Sequence, residues 1–414
     1  SMVGSDLLFH EAAGGVAEGG VILVEEGARY RLHGILRGVR KPGMLPSKRL
    51  LDNRTRGSKN HPLVPLGGFL MRPIALGLAV LCASSFALAQ VPVFPDAAAS
   101  DPVKLGIMKG SPPPADKIAR FADGSAYKFP FTRWSFSNFR QMVPTSAVAR
   151  GNGPVSALPA ALRSDIDALT FIPLGKDQPM SWEQSLAANY TDGIVVLHKG
   201  KVVYERYFGV LKPEGQHIAM SVTKSFFGTI GAMLVAEGLL DENATVSKYV
   251  PELKDSAFGD ATVRQVLDMT TGLKYSENYG DPNAEIWAHV RAGNVLPRPP
   301  GYTGPQTFYE FLQTVKKEGG HGQNYAYKTV NSDVLGWMIR KVTGKSIGEN
   351  LHERIWSKLG VEQDAYFTID SVGNEFAGGG LNTALRDLAR FGEMMRLDGY
   401  YNGQQIVPKA VVAD

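Results

Sequence analysis

The segment that decides the fold runs from His217 to Asp241 and reads HIAMSVTKSFFGTIGAMLVAEGLLD. Its apolar residues recur at three- and four-residue steps, which predicts a helix. The apolar residues lie on almost every side of that helix, a pattern typical of a helix buried in a domain core. Gly238, followed by an aspartate, marks the expected end of the helix.

Ser221 and Lys224 form a Ser-x-x-Lys motif near the start of this predicted helix. Residues three apart share a helical face, so the hydroxyl and the amine are expected within hydrogen-bond distance. A serine hydroxyl is a weak nucleophile until a nearby base takes its proton, and a lysine can help where burial or a cationic neighbour lowers its pKa. The first turn also lies at the positive end of the helix dipole. The motif therefore favours a covalent serine hydrolase.

A second Ser-x-x-Lys, at Ser125 and Lys128, is followed by Phe-Pro and has no helical periodicity. We interpret this second match as chance. A bare Ser-x-x-Lys is thus weak evidence, and the interpretation of Ser221 depends on other segments of the chain.

Composition and charge exclude several classes of function. The 414 residues are 44% hydrophobic and 20% charged, as in an ordinary globular protein. Residues 1–70 carry ten Lys/Arg and six Asp/Glu, so the whole net charge of +4 arises there. The balanced remainder argues against nucleic-acid binding. The sequence contains no His-Glu-x-x-His and no Cys/His cluster, so we expect no metal and no organic cofactor.

Residues 71–90 read MRPIALGLAVLCASSFALAQ. A basic residue, an apolar run of about ten residues and an Ala-Leu-Ala site before Gln90 are typical of a secretory signal peptide. The run is too short to span a membrane. We therefore expect a bacterial signal peptide at 71–89, a periplasmic or secreted protein without a membrane span, and a mature chain that lacks Cys82, the only cysteine. Residues 1–70 are then expected to be a non-native or wrongly assigned extension.

The remaining chain divides by composition. Residues 90–180 are rich in proline and alanine and are interpreted as a linker and an N-terminal extension, in which the aromatic segment 134–144 is expected to be ordered. The folded domain is expected at 181–414. It opens with two β-rich runs, 193–198 and 201–208, around a Lys-Gly pair, which predicts a hairpin.

Residues 275–304 predict a long loop, and loops of this length in a compact domain are usually functional lids or disordered. The aromatic residues Tyr275, Tyr279 and Trp287 favour a lid. A short helix is expected from residue 261 to its end at Gly272, and further helices are expected where apolar residues recur at helical spacing, at 307–317, 332–342, 347–359 and 383–396.

A second chemical element lies in residues 324–336, NYAYKTVNSDVLG, where Tyr327 precedes a helix that Asn331 or Ser332 is expected to cap. A tyrosine near the cationic Lys224 could have a lowered pKa and act as a general base. A tyrosine at such a position is otherwise a packing residue, and the segment alone leaves both interpretations open.

Together these segments resemble the serine β-lactamase and penicillin-recognising superfamily, whose hallmarks are Ser-x-x-Lys on a buried helix and a later Tyr-x-Asn. Ser221 and Tyr327 are 106 residues apart, and Tyr327 lies nine residues before Gly336, as in the family. Residues 377–391 resemble its Gly-rich strand that leads into a helix. The similarity covers about 190–414. It implies an α+β fold of the β-lactamase/transpeptidase type, with an antiparallel sheet flanked by helices and a mostly helical subdomain.

Within the superfamily the chain is most similar to the nylon-oligomer (6-aminohexanoate-dimer) hydrolases, in the segments 133–140, 275–282 and 330–337. The resemblance implies that Tyr279 is a lid tyrosine that helps to hold the substrate amide. With it, Trp287 and Thr329 are the expected substrate-binding residues. Three lid carboxylates could meet a substrate amine, although such charges are commonly solvated: Glu277, Asp281 and Glu285.

Two departures from the family pattern matter. Thr329 replaces the amide of Tyr-x-Asn with a hydroxyl of shorter reach, which argues against a typical β-lactamase and suits the esterase and nylon-oligomer branch. The third family motif, Lys-Thr-Gly or an equivalent on a late strand, is expected after residue 414. The resemblance therefore implies a truncated chain that lacks the last strands and the second oxyanion donor. An exposed sheet edge and a tendency to aggregate would follow.

Three hypotheses result. The first is a serine hydrolase of a small amide or ester, in which Ser221 attacks, Lys224 and Tyr327 transfer protons, and water hydrolyses the acyl-enzyme. The second is a β-lactamase or DD-peptidase. The third is a non-catalytic penicillin-binding-like module or an inactive fragment. The expected partner is a small-molecule substrate, and the sequence does not indicate an oligomeric state.

Overall fold

The computed structural model describes residues 20–24 and 94–414. The strands in these residues are β1 Gly20–Val24, β2 Thr145–Val148, β3 Thr170–Phe171, β4 Met180–Ser181, β5 Gly193–His198, β6 Lys201–Tyr207, β7 Gln216–Ile218, β8 Leu273–Lys274, β9 Lys316–Lys317, β10 Ala365–Thr368, β11 Leu381–Ala384, β12 Tyr400–Tyr401 and β13 Gln404–Gln405. The helices are α1 Thr132–Ser135, α2 Trp182–Ala188, α3 Thr223–Ala236, α4 Val246–Tyr249, α5 Val263–Leu267, α6 Glu285–Ala292, α7 Phe308–Thr314, α8 Val330–Thr343, α9 Ile347–Arg354, α10 Leu385–Arg396 and α11 Lys409–Ala413. The predicted signal peptide and Cys82 lie outside the described residues.

The predicted hairpin forms as β5 and β6. Its turn residues Lys199 and Gly200 have φ angles of 51° and 76°, the pair of left-handed residues that a tight two-residue hairpin turn requires. β5 is buried along nearly its whole length and pairs antiparallel with β6 and parallel with β1. Gly20–Val24, from the region interpreted as an extension, therefore forms an edge of this three-stranded sheet.

A second sheet, of four antiparallel strands in the order β2-β10-β11-β7, positions Ser221. Its edge strand β7 is followed by a 3₁₀ turn, Met220–Val222, which leads into α3. Ile218 of β7 pairs with Asn382 of β11, and the four residues of β11 are all buried. The backbone before Ser221 is therefore attached to an interior strand of the sheet.

Helix α3 lies within the largest apolar cluster of the described residues. Phe226, Phe227 and Ile230 are 0% exposed, so the prediction of a buried helix is confirmed. Burying one such side chain contributes about 1.5–3 kcal/mol. The helix is apolar on several sides because α5, α8 and α9 all contact it. At Gly231 the approach to α8 is so close that a Cβ would lie 2.9 Å from Leu335 Cδ1.

The segment interpreted as a linker and an N-terminal extension is packed against the domain as far as Val148, whereas none of residues 149–180 is buried. Arg133 is 3% exposed and donates through Nε and Nη2 to Asp192 Oδ1 at 3.2 and 3.1 Å. Strand β2, from the same segment, pairs its Val148 with Ala365 of β10. The packed structure therefore begins before the expected boundary near Ser181, because a proline-rich composition does not show which side chains find partners elsewhere.

Four predicted helices are shorter than expected, among them α5 Val263–Leu267 and α9 Ile347–Arg354, which end before Gly272 and Leu359. The helix expected at 307–317 ends at Thr314, since Lys316–Lys317 pairs with β8 as a strand. The helix expected at 383–396 starts at Leu385, because the preceding residues continue β11. Pairing with other strands holds the residues at these two helix ends in an extended conformation, so they do not join the helix.

The expected lid and the helix after Tyr327 also differ from prediction. The lid contains the eight-residue helix α6. Helix α8 begins at Val330 with Thr329 at its N-cap and no side-chain cap, so neither Asn331 nor Ser332 caps it. The side-chain Oδ1 of Asn331 instead accepts a hydrogen bond from the Thr271 hydroxyl at 2.7 Å. In the described part of the chain, every helix is too short or too polar for a membrane span.

Candidate active site

Ser221 occupies a strained turn ahead of α3. The preceding residue, Met220, has a φ of 41°, a left-handed conformation that costs a non-glycine residue about 1–2 kcal/mol. The turn is held from both sides: the Ala219 N–H donates to the Leu381 carbonyl at 2.7 Å, and the Leu381 N–H donates to Thr223 Oγ1 at 3.1 Å. Such strain persists where the surroundings determine the backbone. The sheet thus presents Ser221 at the N-terminal end of a buried helix.

The amine of Lys224 connects three parts of the site. Its Nζ donates to Ser221 Oγ at 2.9 Å and to the backbone carbonyl of Gly378. It also lies 5.1 Å from the centre of the Tyr327 ring, within the range of a cation–π contact. The expected contact between Ser221 and Lys224 is confirmed, and the tyrosine from a distant segment lies beside it.

Tyr327 is 41% exposed, so solvent and a small molecule can reach its hydroxyl. Its neighbours fix the segment: the Ala326 N–H donates to the Met269 carbonyl at 3.0 Å, and Lys328 Nζ donates to the Leu273 carbonyl. Burial lowers the pKa of Lys328. An exposed tyrosine that faces a cationic amine from an anchored segment is suited to proton transfer rather than to core packing.

Thr329 differs from the expectation that it contacts the substrate. Its side chain is 3% exposed, and its methyl group packs so closely against Gly378 that a Cβ on that glycine would clash with it. Its N–H donates to the carboxylate of Glu277. Because α8 begins at Val330, the Thr329 side chain turns into the protein and supports the site from behind.

The lid connects to this segment through Glu277. One carboxylate oxygen of Glu277 accepts the Thr329 N–H, and the other accepts the Tyr279 hydroxyl at 3.0 Å. The rings of Tyr279 and Trp287 meet edge-to-face with their centroids 5.8 Å apart. The structure therefore brings together the two aromatic residues expected to bind substrate, and Glu277 links Tyr279 to the backbone two residues after Tyr327.

A family model described as Beta-lactamase matches residues 183–412. The chain belongs to the beta-lactamase family. A 6-aminohexanoate-dimer hydrolase of Paenarthrobacter ureafaciens is 37% identical over 284 residues, which are 68% of this chain and 69% of that protein. The solved structure called "Putative 6-aminohexanoate-dimer hydrolase from Bacillus anthracis" is 33% identical with a TM-score of 0.67, over 73% of this chain and 77% of that one. The predicted α+β fold of the β-lactamase/transpeptidase type is therefore confirmed.

This beta-lactamase-family chain also has a buried polar network that was not predicted from the sequence. Asp333 of α8 is 2% exposed, and its Oδ1 accepts the Gly378 N–H at 3.1 Å. Its Oδ2 lies 3.1 Å from Nε2 of His289, whose Nδ1 lies 2.9 Å from the Tyr275 hydroxyl. Because the carbonyl of Gly378 accepts from Lys224, a single glycine connects Asp333 to the amine of the site.

The sequence does contain a signal for this network. The first ten residues of α8 are all buried, and an acidic side chain within such a run needs a partner, because an unpaired buried charge is costly. The partner of Asp333, His289, is on the lid helix α6 and is 0% exposed. Burial raises the pKa of Tyr275 well above its usual value, so its hydroxyl stays protonated.

The second Ser-x-x-Lys is structural, in agreement with its interpretation as a chance match. The Ser125 hydroxyl accepts the Arg120 N–H at 2.9 Å, and the Ser125 N–H donates to Asp123 Oδ1 at 2.8 Å. These bonds define a surface turn, which makes Ser125 a useful control for Ser221.

Proposed function

We propose that this protein is a serine hydrolase that cleaves small amides or esters through an acyl-enzyme, with linear dimers of 6-aminohexanoate as the expected type of substrate. The observation that carries the proposal is the 2.9 Å contact between Lys224 Nζ and Ser221 Oγ at the start of a buried helix. Membership in the beta-lactamase family supports the chemistry. The name of the relative that is 37% identical supports the substrate type.

In the first half-reaction Ser221 Oγ forms a bond to the carbonyl carbon of the substrate, and its one proton passes by way of the Lys224 amine to the oxygen of Tyr327, which acts as the base. The negative charge that develops on the carbonyl oxygen is stabilised by the Ser221 N–H at the N-terminal end of α3. Tyr327 then protonates the leaving nitrogen or oxygen. The bond between this atom and the carbonyl carbon breaks, and the amine or alcohol departs.

In the second half-reaction a water molecule adds to the carbonyl carbon of the acyl-enzyme and gives its proton to the same pair of side chains. The bond to Ser221 Oγ breaks, the serine regains a proton, and a carboxylic acid leaves. Each proton transfer by a positioned side chain contributes about 10²–10⁴-fold to the rate. The Gly378 carbonyl and the Tyr327 ring hold Lys224 in place for both halves.

The test combines a fluorophosphonate probe with hydrolysis of p-nitrophenyl acetate and of the linear 6-aminohexanoate dimer. Ser221→Ala is expected to abolish labelling and turnover, while Ser125→Ala, at the other Ser-x-x-Lys, keeps both. Tyr327→Phe is expected to lower kcat by about 10²–10⁴-fold with labelling slowed in parallel. A folded sample that neither labels nor turns over contradicts the proposal. Labelling by a fluorescent penicillin without turnover of ester or dimer would instead favour a peptidase or a penicillin-binding module.

Export of the protein is a separate part of the proposal. Residues 71–89 have the basic start, the apolar run and the small-residue site of a signal peptide, so the mature chain is expected to begin at Gln90 and to lack β1, which leaves β5 at the edge of its sheet. N-terminal sequencing of the protein purified from its source tests this. A chain that starts before residue 71 would contradict it.

A further inference from the structure

The carboxylates of the lid are already engaged within the protein. Glu277 accepts two hydrogen bonds, as described above. Glu285 accepts the Ser276 N–H at 2.9 Å, and Asp281 accepts the Asn283 N–H at 2.9 Å. A substrate amine would have to compete with these bonds, which hold the lid in shape.

The arginines of the lid differ in whether their guanidinium groups have bonding partners within the protein. The guanidinium of Arg298 donates to the carbonyls of Arg291 and Ala292 and to the carbonyl and side chain of Gln306. The guanidinium of Arg291, by contrast, has no hydrogen-bond or ion-pair partner among the residues that the structure describes. The side chain is partly buried at the last turn of α6. Arg291 is therefore a lid cation that is available to a ligand.

Arg291 lines a cavity of about 300 Å³ together with Tyr279, Gly280, Pro282 and Trp287. Apart from the guanidinium, these walls are mainly aromatic and aliphatic, which suits a methylene chain. An arginine offers paired N–H donors that match a carboxylate in a bidentate arrangement. The lining therefore combines an apolar channel with one anion-binding group, the usual composition of a small-ligand site.

The cavity is connected to the candidate active site through hydrogen bonds of Glu277. Its wall residue Tyr279 donates to Glu277 at 3.0 Å, and the same carboxylate accepts the N–H of Thr329, two residues after Tyr327. A ligand in the cavity therefore lies against the lid residue that is hydrogen-bonded to the catalytic segment.

We propose that Arg291, with the walls formed by Tyr279 and Trp287, binds a carboxylate carried by the substrate on an apolar chain. This inference rests on the proposed function and makes it more specific: the preferred substrates are amides or esters with an anionic end. The linear dimer of 6-aminohexanoate has such a carboxylate at the end of its leaving group. Arg291 is then a specificity-determining residue rather than a participant in bond cleavage.

The experiment measures binding without turnover, in the Ser221→Ala protein, by titration calorimetry. The probes are 6-acetamidohexanoate and its neutral analogue 6-acetamidohexanamide. A charge-assisted hydrogen bond is stronger than a neutral one by an amount that corresponds to about a tenfold difference in Kd, so the carboxylate is expected to bind about tenfold more tightly. Arg291→Gln should remove this preference, and Arg291→Glu should shift it toward N-acetyl-1,6-diaminohexane, which carries an ammonium.

Arg120→Gln is the matched control, because Arg120 is an exposed arginine whose side chain is 46% accessible and which pairs with Asp123. It is expected to retain the preference for the carboxylate. The inference is overturned if the Ser221→Ala protein binds both probes with equal affinity. It is also overturned if the preference for the carboxylate remains after Arg291→Gln. Competition of the same probes with p-nitrophenyl acetate in the unmodified protein gives a second readout. Turnover without a carboxylate preference would refute this inference alone, whereas a carboxylate preference without labelling at Ser221 would refute the proposed chemistry alone.

Discussion

Replacing Asp333 with asparagine tests whether the buried network behind Gly378 positions Lys224. Asparagine preserves the size of the side chain and an acceptor for the Gly378 N–H, which Asp333 Oδ1 accepts at 3.1 Å. It replaces Oδ2, 3.1 Å from His289 Nε2, with an NH₂ group that only donates. The Gly378 N–H would then be bonded to a neutral acceptor, and buried His289 would lose the carboxylate that lies beside its Nε2.

The magnitude follows from these two contacts. A hydrogen bond to a charged group contributes about 1.5–3 kcal/mol and a neutral one about 0.5–1.5 kcal/mol, so the change at Gly378 costs about 1 kcal/mol. A mispaired buried polar group at His289, which is 0% exposed, adds roughly 1–3 kcal/mol. We expect the free energy of unfolding to fall by about 2–4 kcal/mol. Because a displacement of about 1 Å in a catalytic group can cost 10²-fold, kcat should fall by about 10- to 100-fold.

Urea denaturation gives the stability, and hydrolysis of p-nitrophenyl acetate across a pH series gives kcat and its pH profile. Asp370→Asn is the matched control. Asp370 is also 2% exposed, and it accepts the N–H of Phe308 at 3.1 Å and of Asn374 at 2.9 Å. It should lose a comparable amount of stability with kcat and the pH profile unchanged.

Two outcomes would refute the reasoning. If Asp333→Asn loses stability but keeps both kcat and the pH profile, the network has only a structural role. If Asp333→Asn and Asp370→Asn lower kcat equally, the loss reflects general loosening of the fold rather than the position of Lys224.

Two further predictions concern the fold and are checked by urea denaturation. Gly231→Ala should lower the free energy of unfolding by about 1–3 kcal/mol, because its Cβ would lie 2.9 Å from a leucine methyl of α8. Gly228→Ala, on the same helix with nothing within 4 Å, should raise the free energy of unfolding by about 0.5–1 kcal/mol. Changes of the same sign in the two variants would contradict the packing argument. Arg133→Met should lower the free energy of unfolding by about 3–5 kcal/mol, because Asp192, at 1% exposed, loses its partner. Arg163→Met, at an exposed ion pair, should be nearly neutral, and equal effects would show that burial does not decide the cost.

Each prediction that the structure confirmed depends on a single local segment of the chain. The buried helix follows from apolar periodicity between residues 223 and 236, and the hairpin follows from two β-rich runs around Lys199 and Gly200. The Ser221–Lys224 contact follows from a spacing of three residues, since one helical turn brings them together. The resemblance added Tyr327, because the order and spacing of motifs are properties of the sequence. These features can be predicted without knowing which distant segments of the chain come into contact.

The tertiary structure alone decided the features that depend on segments far apart in the chain. It paired Asp333 with His289, turned Thr329 inward and made Gly378 the link between Asp333 and Lys224. The strength of such contacts is set by burial and by the geometry of several groups at once, and a sequence pattern contains neither quantity. For the same reason residues 94–148, part of the segment interpreted as a linker and an N-terminal extension, became part of the packed structure. In this protein the sequence by itself determined the main helix, the hairpin and the Ser221–Lys224 contact, while packing determined which groups hold that pair in place.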